Sequence, residues 1–206
     1  MSFEQRFARV NEAYLIPLIF ELLIAPAIIF MFQMPDGDYI AQTFLQELLP
    51  PVALLWPVFF SYEDMAARGN ELLYIKGRMK IGYYLFSVVV YMLFALPAHL
   101  LMIPMCKNLD WKMEYTRLFI CSMFLVSMFY MLNYVLAKYA LSVILCSAYV
   151  VYSYFLQAKT GKWQLLDERN ATLSLIKDRY LVFLAAAVIM FAVGAVFNKK
   201  YEKYIV

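Results

Sequence analysis

Charge is scarce in this chain: 16% of its 206 residues are charged and 65% are apolar. The charges fall between apolar stretches about 20 residues long, the length an α-helix needs to cross a hydrocarbon core about 30 Å thick. The run Leu181 to Phe197 has no charge at all. Six such stretches would use more than half of the chain, which leaves no room for a soluble catalytic domain. The expected organisation is a single transmembrane domain over 1–206, all-α and polytopic.

Other absences narrow the function. Cysteine occurs three times, as Cys106, Cys121 and Cys146, without C-x-x-C spacing or histidine partners, so these read as small packed thiols rather than metal ligands. No G-x-x-x-x-G-K-[ST] stretch is present. The nearest fragment, Thr160-Gly161-Lys162-Trp163, lacks the first glycine and the final hydroxyl residue, so the chain supplies no ATPase site of this type. H-E-x-x-H and G-x-S-x-G are missing as well. A net charge of +3 gives no reason to expect nucleic acid. Met1 to Glu12 is polar and mixed in charge, unlike a cleavable signal peptide.

The apolar pattern predicts six spans. The first covers Ala13 to Gln33 and the second Ile40 to Phe60, separated by a Pro-Asp-Gly turn in Met34 to Tyr39. Pro50, Pro51 and Pro57 must kink the second. The third is Ile81 to Ile103. The stretch Thr116 to Gln157 is too long for one crossing and divides near Asn133 to Tyr139 into spans four and five. Ala158 to Arg179 reads as a polar connection before span six, Tyr180 to Phe197. Six spans with the N-terminus inside place ten basic residues on the cytoplasmic side and eight outside, which favours that orientation weakly. A five-span arrangement stays open.

The most specific stretch is Ser61 to Leu85, SYEDMAARGNELLYIKGRMKIGYYL. Ser61 and Asp64 have the spacing of a capping box, which predicts a short surface helix starting there. Lys76, Arg78 and Lys80 suit a basic cytoplasmic juxtamembrane segment. The order Glu63, Gly69, Glu71, Leu72, Leu73, Lys76, Lys80 resembles the loop after the second span in permeases of type-2 ABC transporters, a six-span exporter family. The resemblance implies that this loop is a coupling helix docking on a cytoplasmic ABC ATPase subunit, with Glu63, Arg68, Gly69, Glu71 and Leu72 transmitting force. It also implies pairing with a second permease copy or a homologous permease, no cofactor in this chain, and ATP and Mg on the partner ATPase. One departure stands out. The family places short apolar helices that re-enter the membrane before span six, whereas Lys159 to Arg179 is strongly polar here.

Three ionisable groups fall inside spans. Glu21 and Glu47 are expected to line a translocation path or to fix helix packing as paired or protonated groups. His99 is expected to hydrogen-bond near the outer end of span three. Tyr14, Tyr39, Tyr62, Tyr83, Tyr84, Tyr180 and Tyr201 fall near span ends, as an interfacial belt would. Two other functions remain open: a non-transporting accessory or assembly subunit, and a lipid enzyme built on Asp110 and Glu114, the close acidic pair before span four.

Overall fold

The computed structural model describes residues 15–65, 80–106, 109–155, 164–166 and 169–204. These residues form six helices and, among those described, no strand. Helix α1 is Leu15–Phe32. Helix α2 comes in four pieces: Gly37–Thr43, a π turn at Phe44–Leu48, Leu49–Val52, and Leu55–Met65. Helices α3 (Ile81–Met105), α4 (Trp111–Leu136) and α5 (Tyr139–Phe155) follow. Helix α6 opens with Leu173–Leu175, passes through a π turn at Ile176–Tyr180 and runs on as Leu181–Tyr204.

Four of these are long and apolar enough to cross a membrane: Gly37–Tyr62, Ile81–Pro104, Trp111–Leu136 and Leu173–Lys200. The expectation of six spans is met only that far. The other two apolar helices, Ile16–Phe32 and Tyr139–Phe155, are shorter. At 1.5 Å per residue, a 17-residue helix such as α5 reaches about 25 Å, less than the hydrocarbon core.

The breaks between helices have local causes. Gly37 lets α1 and α2 meet closely, because a Cβ there would lie 2.4 Å from the Met31 carbonyl oxygen. Asp36 just before it takes a left-handed conformation, φ 57°. The expected break between spans four and five is a tight turn at Ala137, also left-handed at φ 51°. Pro50 and Pro51 follow the π turn of α2, and Ala53 and Leu54 interrupt the helix before it resumes at Leu55. The second helix is thus interrupted after Pro50 and Pro51, whereas Pro57 falls in the first turn of Leu55–Met65, which runs on unbroken.

Contacts between distant residues orient the helices in alternation. Ser61 at the end of α2 meets Tyr84 at the start of α3, and Tyr84 meets Asn133 at the end of α4. At the opposite face, Gln46 of α2, Glu114 at the start of α4 and Ala171 just before α6 converge. We call the first the start face, because α1 begins there. Helix α4 is the central element: 72% of its apolar window is buried, against 28% for α6. Ile24 and Ile28 of α1, Leu45 and Leu49 of α2, Tyr91 and Ala95 of α3, and Phe129 and Tyr130 of α4 share one core. Outward-facing side chains are large and apolar, including Phe20, Leu93, Ile144, Phe155 and Ile189. Such a surface suits hydrocarbon rather than water.

Candidate functional site

Polar side chains inside this bundle are grouped in layers. The layer at the opposite face is built on the first turns of α4. Asp110 caps the helix, accepting from the backbone N–H of Lys112 (3.1 Å) and Met113 (3.4 Å). One turn on, the Glu114 carboxylate faces inward, 1% exposed. It accepts from Gln46 Nε2 at 3.1 Å and from the Ala171 backbone N–H at 2.8 Å, and it forms an ion pair with Arg117. Arg117 donates a further bond to the Arg169 carbonyl at 2.7 Å, and Gln42 reaches Asn170. The clasp joins α2, α4 and the entry to α6. Asp110 caps its own helix, while Glu114 ties α4 to α2 and to the entry of α6.

Residues 164–166 bring a second polar layer into the bundle. Leu165 and Leu166 are buried, and their backbone N–H groups both donate to Ser153 Oγ of α5, at 2.9 and 3.0 Å. The Leu165 carbonyl accepts from Tyr180 Oη (3.2 Å) and from the Cys121 thiol (3.7 Å), while Arg179 donates to the Gln164 carbonyl. Buried non-helical backbone needs partners for its polar groups, and α4, α5 and α6 take four of them here: the Leu165 and Leu166 N–H groups and the Gln164 and Leu165 carbonyls. This corrects the expectation for Ala158 to Arg179. It is not simply a polar surface connection: 164–166 is tucked between α4, α5 and α6, and α6 already starts at Leu173. Thr172 caps that start through the Leu175 N–H, and Arg179 is 8% exposed despite its charge.

The third layer lies near the start face. Ser61 Oγ donates to the Pro57 carbonyl and pairs with Tyr84 Oη, both at 2.6 Å, and Asn133 donates to the same tyrosine at 3.3 Å. Ser61 is therefore no N-cap. It sits inside Leu55–Met65, bonded back to the carbonyl four residues earlier, so no new helix begins there. Lys80, expected at the cytoplasmic surface, is fully buried beside the start of α3. Tyr39 and Tyr62 are exposed as a belt requires, whereas Tyr84 and Tyr180 are internal hydrogen-bonders.

Of the expected coupling residues, Glu63 falls in the last turn of α2. Arg68, Gly69, Glu71 and Leu72 lie outside the described residues. Glu21 and Glu47 are both buried, at 2% and 3% exposure. Glu21 of α1 faces Trp56 in the Leu55–Met65 piece of α2, whereas Glu47 lies in the π turn of that helix. His99 is more interior than expected, 1% exposed, with Nδ1–H donating to the Ala95 carbonyl (3.0 Å) and its ring edge-on to Tyr115.

The sequence reading missed Gln46, Arg117, Ser153 and Arg179 as interior contacts. The Glu114–Arg117 spacing of three was a local signal; the partners in other helices had none. The three cysteines are free, and among the described residues no group of three potential metal ligands occurs. Burial pushes the Cys106 thiol up, and Asp38 adds to the effect. No family model, curated protein or solved structure matches the chain.

Proposed function

We propose that this chain is the membrane-spanning permease subunit of an ATP-driven ABC exporter, multi-pass in the cell membrane with both termini cytoplasmic. It would cross six times, with the short α1 and α5 accommodated by local thinning of the bilayer. The observation that carries the reading is the anchoring of both ends of residues 66–79. The end of α2 and the start of α3 are tied by the 2.6 Å Ser61–Tyr84 bond, and Tyr84 is tied in turn to α4 through Asn133. A force applied to 66–79 would reach α2 and α3 together and pass to the central helix.

In this reading Glu63, Arg68, Gly69, Glu71 and Leu72 contact a cytoplasmic ABC ATPase that holds the ATP and Mg. A second permease, the same or homologous, completes the path. Glu21 and Glu47 lie along it, and a drug, antimicrobial peptide or lipid-like molecule is the cargo. The test is co-purification from native membranes in mild detergent with the ATPase encoded beside it. The wild type retains the ATPase, and Gly69→Trp and Glu71→Arg lose it. Full retention by both variants, or no ATPase with the wild type, rejects the reading.

One observation favours a non-transporting accessory subunit instead. The Glu114 clasp ties its polar groups to one another within the bundle rather than offering them to a cargo. That reading predicts tolerance of both substitutions.

A further inference from the structure

Glu21 is the sole ionisable residue of α1, and it lies in the buried stripe formed with Pro17, Ile24 and Ile28. Its neighbours Phe20, Leu22 and Leu23 point outward, each more than half exposed, so the carboxyl is turned inward against α2 and α3. Both carboxyl oxygens are sealed, with less than 1 Å² accessible, and neither has a hydrogen-bond partner. The Trp56 indole lies against the carboxyl, but its Nε1 closes no bond of normal geometry. From α3, the titratable group that faces Glu21 is Tyr91, and its hydroxyl already donates to the Leu49 carbonyl at 2.6 Å.

Glu114 shows what an ionised carboxylate is given in this same bundle: an arginine, a side-chain amide and a backbone N–H. Glu21 has none of these. An unpaired carboxylate in an apolar interior is so costly that it neutralises instead. With both oxygens sealed, the cation that fits is a proton.

We propose that Glu21 is an intramembrane proton-binding site, loaded while α1 lies on α2 and α3 and able to exchange when α1 moves off Trp56. Ionised Glu21 would drive α1 from this seat, so the proton is also what holds α1 down. The site is independent of any ATPase, and its test reads the carboxyl directly.

The experiment uses the full chain in native membranes, treated with dicyclohexylcarbodiimide and mapped by peptide mass spectrometry. This apolar reagent requires a protonated carboxyl: the acid proton moves to a carbodiimide nitrogen, the carboxylate adds to the central carbon, and acyl migration leaves a stable N-acylurea carrying the whole reagent. The expected result is an adduct on Glu21 at least tenfold above Glu114, slowing as pH rises, and absent at that position in Glu21→Gln, which keeps the fold. An unmodified Glu21, or modification of Glu114 at the same rate, overturns the proposal. So does a yield that does not change with pH.

Discussion

At the scale of single residues, the consequential positions are those whose partners come from another helix. Arg117→Ala leaves Glu114 buried without its counter-ion, and breaking a buried pair costs about 3–5 kcal/mol. Denaturant unfolding of the purified chain should show a loss of that size. The double variant Glu114→Gln, Arg117→Met should recover part of it, because no uncompensated charge remains. The thiols give a second expectation. Cys121 and Cys146 are 1% and 2% exposed, so alkylation of the folded chain should occur at Cys106 alone. Because burial and Asp38 raise that thiol, its alkylation should be slower at neutral pH than that of a free cysteine and should accelerate as pH rises. Equal labelling of all three thiols would contradict the packing described here.

At the scale of elements, α4 and α6 form the tightest pair, and Gly194 makes it so. A Cβ at Gly194 would lie 2.5 Å from the Tyr130 ring and 3.2 Å from the Met131 Cα. Gly194→Ala should therefore destabilise the bundle by about 1–3 kcal/mol through overpacking. Gly82→Ala, with nothing within 4 Å, should be neutral or stabilise α3 by up to about 1 kcal/mol. Thermal unfolding of the two variants separates them, and equal shifts would refute the close approach. Helix α5 buries only Ser142, Cys146 and Ser153. Removing the Ser153 hydroxyl leaves two buried N–H groups unpaired, at about 1–3 kcal/mol each. In Ser153→Ala, Cys121 and Cys146 should become open to a membrane-permeant maleimide, while Ser153→Thr, which keeps the oxygen, should protect them.

Much of this scale was legible in sequence. Apolar run lengths located the helices, and the break expected near Asn133 to Tyr139 is the Ala137 turn. The misreadings share a cause. Lys177, Asp178 and Arg179 look like loop residues by composition, yet they form the π turn that leads into α6. Arg179 is tolerated there because it reaches a carbonyl 15 positions away, which no local pattern reveals. Ser61 has the composition of a cap, but helix α2 simply continues through it. The Glu114 clasp joins residues 57 and 68 positions apart, so only the folded chain assembles it.

At the scale of the whole molecule, the helices alternate in direction. The ends of α2, α4 and α6 share one face with the starts of α3 and α5, as the Ser61–Tyr84, Tyr62–Tyr139 and Tyr130–Asn198 contacts require. If all six cross, the end of α2 and the end of α5 lie on opposite sides of the membrane, and the proposed exporter holds the first on its ATPase side. The exporter reading depends on that arrangement more than on any single side chain. The direct measurement is labelling of intact cells by a membrane-impermeant maleimide, using Gly69→Cys and Thr160→Cys, each in a chain freed of its native cysteines. The account predicts labelling at position 160 in intact cells and at position 69 only after the membrane is opened. Labelling of position 69 from outside, or of both positions from the same side, would contradict it.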